Sequence, residues 1–222
     1  MSRFQLHIKL MSDTTFGRGD GVAGLLDQEV EHDPFGFPYL RGRTLKGLLS
    51  EECDNMIACL PDATRHHWEQ RACELFGTPG STLETIAALH IGDARLPDDV
   101  RQAVAFQIRN ENLTRAEVLS SLTTIRRQTA IQPETGIPDR GGLRALRVVL
   151  RDLTFTADLL FEQTPTDDMQ TLLSVGALAL RHLGSGRNRG RGHVRCHITN
   201  EQADLLPQKL LDPFITAQAQ EV

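Results

Sequence analysis

Phe4, Leu6, Ile8 and Leu10 alternate with polar residues, the period of a half-buried strand over residues 3–11. Leu45, Leu48, Leu49, Met56 and Leu60 then recur at helical spacing, which predicts a helix over 44–60. Pro61-Asp62 is expected to break that helix, with helical character resuming from Trp68 to Phe76 before the turn residues Gly77-Thr78-Pro79-Gly80. Leu89 to Leu96 fits a strand, Pro97-Asp98-Asp99 opens a further helix, and Thr114 to Leu122 forms a short one. Residues 123–147 show no clear periodicity, but Pro133-Glu134-Thr135-Gly136 and Asp139-Arg140-Gly141-Gly142 are turn signals and predict a protruding hairpin. Leu153, Phe155, Ala157, Leu159 and Phe161 alternate as a strand. Thr166 to His182 reads as a helix, with Asp167 and Asp168 in its first turn and Gly184 to stop it. His193 to Ile198 is the last predicted strand. Strand, helix, inserted segments, strand, helix, strand is the order of an α+β, ferredoxin-like (RRM-like) core.

With 222 residues and 40% hydrophobic content, the chain is expected to form one domain with a real core. The core is assigned to about 3–60, 87–122 and 148–200, with an insertion at about 61–86 and the hairpin at 123–147. No apolar run reaches membrane-spanning length and the N-terminus carries no leader pattern, so a cytoplasmic protein without membrane partners is expected. Cys53, Cys59, Cys73 and Cys196 form no CxxC pair and are expected to be free thiols.

A net charge of −5 argues mildly against a nucleic-acid partner, but the distribution changes that picture. Of 24 cationic residues only Lys9, Lys46 and Lys209 are lysine, and arginine is the side chain that forks onto phosphate and stacks on bases. Arg181, Arg187, Arg189, Arg191 and Arg195 fall in a stretch, 181–200, that contains no acid. Leu183 to Val194 is a glycine-rich run holding three of these arginines. It follows a helix, precedes a strand and lacks a Gly-Lys-[Ser/Thr] ending, which excludes the NTP-binding loop pattern. Glycines allow close backbone approach to a polyanion, although a solvated turn with incidental arginines gives the same letters.

Arg41, Arg43 and Lys46 cluster at the start of the first helix, where free N–H groups favour phosphate or where ordinary surface salt bridges form. Arg126, Arg127, Arg140, Arg144 and Arg147 flank the hairpin and could track an RNA backbone or simply be solvated. Asp27 follows a glycine-rich loop, either as an exposed loop carboxylate or as the ligand of a divalent ion beside a scissile phosphate. Cys59, His66, His67 and Cys73 invite a zinc reading, but their spacing matches no standard finger.

Together these residues resemble the RAMP superfamily, most closely the repeated backbone subunits (Csm- and Cmr-like) of type III CRISPR effector complexes. The matching pieces are Leu26-Asp27-Gln28-Glu29-Val30-Glu31-His32-Asp33-Pro34, Gly36-Phe37-Pro38-Tyr39-Leu40 and Thr44-Leu45-Lys46-Gly47. Further pieces are Cys73-Glu74-Leu75-Phe76-Gly77, His90-Ile91-Gly92-Asp93-Ala94, Thr129-Ala130-Ile131 with Thr135-Gly136 and Arg144, and Gly184 to Gly192. Two departures stand out. Arg41-Gly42-Arg43-Thr44 replaces the usual Pro-Gly-Ser-Ser, and His32 stands where arginine is common, as a proton acceptor near Asp27 or a structural histidine.

The resemblance implies an RRM-like core bound to CRISPR guide RNA beside other RAMP subunits, with the hairpin as a thumb that kinks the duplex with single-stranded target RNA. It implies RNA contacts from Arg18, Arg41, Arg43, Thr44, Lys46, Arg126, Arg127, Arg140, Gly184, Gly186, Arg187, Arg189 and Arg191. Asp27 occupies the position of the catalytic members' metal-binding aspartate, implying Mg2+- or Mn2+-dependent cleavage of target RNA by attack of the adjacent 2′-hydroxyl. Two alternatives remain: a backbone subunit that holds RNA without cutting, and a RAMP nuclease that processes guide precursors.

Overall fold

In the computed structural model, which describes residues 2–78, 87–132, 134–200 and 211–218, six strands and six α-helices are assigned. They are β1 (Ser2–Leu10), α1 (Gly42–Ala58), α2 (Asp62–Phe76), β2 (Leu89–Ile91), α3 (Asp98–Arg109) and α4 (Arg115–Leu122). They continue with β3 (Thr123–Ile131), β4 (Pro138–Val149), β5 (Thr154–Phe161), α5 (Asp167–Ala179), β6 (Val194–Thr199) and α6 (Asp212–Gln218).

Four strands form an antiparallel sheet in the order β2-β5-β1-β6. Taking β1, β2, β5 and β6 with helices α1 and α5, this is the ferredoxin-like arrangement the element order predicts. The alternation decides which face is covered. Leu6, Ile8, Leu10, Phe155, Leu159, Phe161, Val194 and Ile198 point inward and are buried, while His7, Lys9, Arg195 and His197 point the other way. Helices α1 and α5 close the inner face and approach each other where Gly176 meets Cys53, so tightly that a Cβ on Gly176 would lie 2.5 Å from the cysteine sulfur. Burial pushes the Cys53 and Cys196 thiols up, the latter to about 12, consistent with packed rather than reactive sulfurs.

The predicted hairpin is β3–β4, paired from Thr123↔Val149 to Ile131↔Pro138 with an irregularity near Thr129. Both of its faces are largely open, and Ile125, Ile131, Ile137 and Leu143 are exposed, which is why no period was visible in its sequence. The strand expected over 89–96 pairs regularly only to Ile91. Beyond Gly92 the chain swings out, and Ala94 and Arg95 regain single bridges to Leu40 and Thr156. Within this irregularity the Asp93 carboxylate accepts the Gly42 N–H at 3.0 Å and caps α1.

Helix α2 begins at Asp62, directly after Pro61, so that proline starts a helix where a break alone was expected. Helix α5 is capped by Thr166, whose hydroxyl accepts the Met169 N–H, and ends at Ala179, short of the expected His182. The short α6 was not anticipated; it seats Phe214 edge-on against Trp68 at 5.2 Å. Pro79 and Gly80 of the expected turn, the insertion's tail through residue 86, and Pro133 lie outside the described residues.

Candidate RNA-binding groove and carboxylate

The segment 14–30 is a loop fastened to β4 at both ends, through Thr14 and Thr15 at one and Asp27 and Gln28 at the other. Thr14 bridges Val149 and Gln28 bridges Leu146. The Asp27 N–H donates to the Ala145 carbonyl at 2.8 Å, and the Ala145 N–H donates to Asp27 Oδ2 at 2.6 Å. Asp27 itself is exposed. Two residues on, Glu29 is 4% exposed and accepts from Arg147 Nε at 2.8 Å and from the Val30 N–H. Glu31 accepts from Tyr39 and Arg41, and Asp33 accepts the Phe35 and Phe37 N–H groups and pairs with Arg101. These three carboxylates are thus engaged in holding the loop.

The glycine-rich run folds back on this loop. Gly184 and Gly192 have φ of 82° and 70°, and a Cβ at either would strike Thr14, Thr15 or the Leu183 carbonyl. The Ser185 N–H donates to the Thr15 carbonyl at 2.9 Å and Gln28 Nε2 donates to Ser185 Oγ at 2.7 Å, tying the loop beside Asp27 to the loop that carries the arginines. Two clefts meet at Gly184–Arg187. One, of about 270 Å³, has Tyr39, Arg41 and Thr44 on its far wall. The other, of about 460 Å³, has Gln28, Gln128 and Arg144 opposite Arg189 and Arg191.

The cations at the start of α1 do not act as one cluster. Arg41 and Thr44 face the glycine-rich loop, whereas Arg43 and Lys46 line a separate groove of about 1140 Å³ between α1 and α2. At 100° per residue, positions 44 and 48 share one helix face and 43, 46 and 50 another. Burial lowers the Lys46 ammonium pKa. The helix start is also less open to phosphate than expected, because Asp93 occupies the Gly42 N–H.

The acid-free stretch 181–200 is balanced from elsewhere in the chain: Arg187 donates to both oxygens of Glu51 at 2.8 and 2.9 Å. Arg18 pairs with Asp20, Arg41 with Glu31 and Arg126 with Asp13. Each of these pairs has at least one partner well exposed to solvent, and such pairs contribute about 0–1 kcal/mol each. Among the described residues Arg43, Arg127, Arg144 and Arg189 make no ion pair, and Gln128, with its amide oxygen turned to Arg191, accepts from both terminal nitrogens at 2.8 Å. The Arg140 side chain lies outside the described residues. Gln28, Gln128 and Ser185 were not singled out from sequence; Gln28 adjoins Asp27 and was the one within reach.

The His32 ring is engaged by other partners: its nitrogens lie 3.2 and 3.3 Å from Arg115 Nη2, Nδ1 lies 3.2 Å from the Asp33 carbonyl, and its backbone bridges Pro38. No zinc cluster forms among the described residues. Cys59 donates to the Asn55 carbonyl, His67 meets Asp168 at 2.8 Å, and His66 faces Glu69. For a divalent cation, Asp27 offers Oδ1, with Oδ2 already bonded to Ala145. That donor set fits a hydrated Mg2+ completed by water and substrate phosphate rather than an all-protein cage.

Core, hairpin and cleft define a ferredoxin-like protein with an arginine-lined groove beside a long hairpin. The sequence model of the RAMP superfamily matches residues 7–195, so the chain belongs to that superfamily. Comparison with curated proteins gives no match. Among solved structures, a chain of the type III-B Cmr-beta bound to cognate target RNA is similar, with a TM-score of 0.63 and 13% identity, covering 88% of this chain and 96% of that one. A chain of the apo state of type III-B Cmr-beta gives 0.60 and 12% over the same shares. At these identities the likeness establishes the fold. Among the described residues no helix is long and apolar enough to cross a membrane.

Proposed function

We propose that this protein is a guide-RNA-binding backbone subunit of a type III CRISPR interference complex and that it cleaves complementary target RNA at Asp27. The observation that carries the reading is the Gln28–Ser185 contact, which joins the Asp27 loop, the glycine-rich loop and the thumb arginines around one groove. The similarity to a Cmr-beta chain bound to target RNA supports it. Guide backbone lies along Arg41, Thr44 and the glycine-rich loop; target RNA passes the thumb base, where Asp27 projects. The 2′-hydroxyl gives up its proton to solvent and attacks the adjacent phosphate, the bond to the 5′ oxygen breaks, that oxygen takes up a proton from solvent and leaves as a hydroxyl, and a 2′,3′-cyclic phosphate remains. A divalent cation bound by Asp27 would neutralise charge developing on that phosphate. The Ala145 N–H fixes the carboxylate's orientation.

Asp27→Ala in the assembled complex is expected to leave target affinity within about twofold and to slow cleavage at this subunit's site at least about 100-fold. Gel mapping of product ends measures this, and unchanged cleavage there defeats the catalytic assignment. One observation favours a subunit that holds RNA without cutting: Asp27 already has a structural partner in Ala145. Asp27→Asn keeps an acceptor for that N–H, so retained cleavage with Asn but not with Ala marks a structural role. Cleavage that survives EDTA favours metal-independent guide processing instead.

Arg187→Ala with Arg189→Ala is expected to weaken RNA binding about tenfold and to reduce the slope of log affinity against log salt by about one. Filter binding across a salt series reads both, and an unaltered slope removes the loop from the RNA path.

A further inference from the structure

We infer that the outward face of β1 and β6 is a second RNA-contact surface, which stacks unpaired bases on the His7–His197 pair and holds phosphate between Lys9 and Arg195. The surface lies outside the groove described above and does not depend on Asp27.

Three observations converge on it. First, the register sets Lys9 directly opposite Arg195, and both are exposed. Like charges opposed across a strand pair are destabilising, and a bound anion between them reverses the sign. No carboxylate stands at an outward position of either strand. The neighbouring half of the sheet does carry acid, but Asp158 is held by Arg3 and Gln5, and Asp93 by Arg95 and Gly42. The cations therefore segregate toward β6.

Second, His7 and His197, also directly opposite, stack with centroids 4.8 Å apart and planes within 11°. His7 is fixed by Thr199 at 3.1 Å and Thr156 at 3.4 Å, whereas His197 is exposed, so a rigid ring supports an accessible one. Burial and the neighbouring His197 lower the His7 pKa. A flat, sequence-tolerant π face flanked by cations is the arrangement that binds single-stranded nucleic acid.

Third, the surface continues from the groove. Gly192 ends the glycine-rich run, and the next residue, His193, stacks on His182 at 5.4 Å and 28° before the chain enters β6. A strand leaving the loop thus meets two imidazole pairs in succession. Half of the chain's eight histidines are in these two pairs, which sets this face apart from an ordinary solvated one.

The test uses the full chain and a fluorescent oligouridine of about 12 nucleotides. Lys9→Gln with Arg195→Gln should weaken binding about five- to tenfold and lower the salt slope by about one, without lowering the thermal midpoint. His197→Ala should weaken binding about fivefold, and His197→Phe, which keeps an aromatic ring, should restore it. Photocrosslinks from 4-thiouridine should map to β1 or β6. Unchanged affinity and slope in the Lys9/Arg195 variant, with crosslinks confined to the groove, overturns the inference. Running the Arg187/Arg189 variant in parallel separates the two surfaces. Loss there alone overturns the sheet site and leaves the groove, whereas loss only in the sheet variants supports the sheet site and counts against the groove.

Discussion

Alanine at Gly192 is expected to destabilise the protein by about 4 kcal/mol, lowering its unfolding midpoint by about 10 °C. Gly192 is buried at φ 70°, where a Cβ costs about 1–2 kcal/mol from backbone sterics alone. The larger part comes from packing. The added carbon would land on the Leu183 carbonyl, and that carbonyl cannot retreat, because it accepts the Thr14 hydroxyl at 2.9 Å. Leu183 and Gly192 are also joined by a 3.0 Å backbone bond, and the Gly192 N–H reaches the Asp13 carbonyl. Gly190→Ala is the control: φ is 74°, but a Cβ there meets nothing within 4 Å, so only the conformational cost of about 1–2 kcal/mol is expected. Urea titrations of the two variants measure the difference. Equal losses would mean that the closure of the glycine-rich loop onto Thr14 is not what holds it.

That closure illustrates what sequence could and could not disclose. β1 and β5 were legible because each buries one face, and a period of two follows directly. The hairpin was legible only through its turn residues, since β3 and β4 bury neither face over most of their length. The glycine-rich run was visible as a motif, but Thr14 and Thr15, the groups that forbid a Cβ at Gly184, are roughly 170 positions away and carry no local signal. The same distance problem hid the charge balance: Glu51 neutralises Arg187 and Asp13 meets Arg126 over sequence separations of 136 and 113 residues. The division of Arg41 from Arg43 needed only the helix phase, and the N-terminal boundary that sets it is capped by Asp93, from the segment that follows β2. Candidate residues could thus be read by type, while their pairing had to come from the fold.

Arg147→Met is expected to cost about 3 kcal/mol and to impair target cleavage more than target binding. Glu29 is 4% exposed, and its carboxylate relies on Arg147 Nε at 2.8 Å and the Val30 N–H at 2.9 Å. Removing the guanidinium leaves a buried charge without its counter-ion, a loss of about 3–5 kcal/mol in fully buried pairs and toward the low end here, because Arg147 retains partial exposure. Thr123 also loses a 3.3 Å donor, loosening the start of β3. Adding Glu29→Gln should recover about 1–2 kcal/mol, since a neutral amide no longer demands the cation. The functional consequence follows from position. Glu29 clamps the segment whose Asp27 bonds to Ala145, two residues before Arg147 on the same strand, so the clamp and the proposed catalytic carboxylate share one β4 register. A loosened segment leaves the arginines of the glycine-rich loop in place while Asp27 wanders from the phosphate, and a misplacement of about 1 Å costs on the order of 100-fold in rate. Stability measured by urea and cleavage measured at fixed occupancy separate the two effects. If the double variant regains stability without recovering cleavage, Arg147 positions Asp27 directly; if both return together, the buried charge alone was responsible.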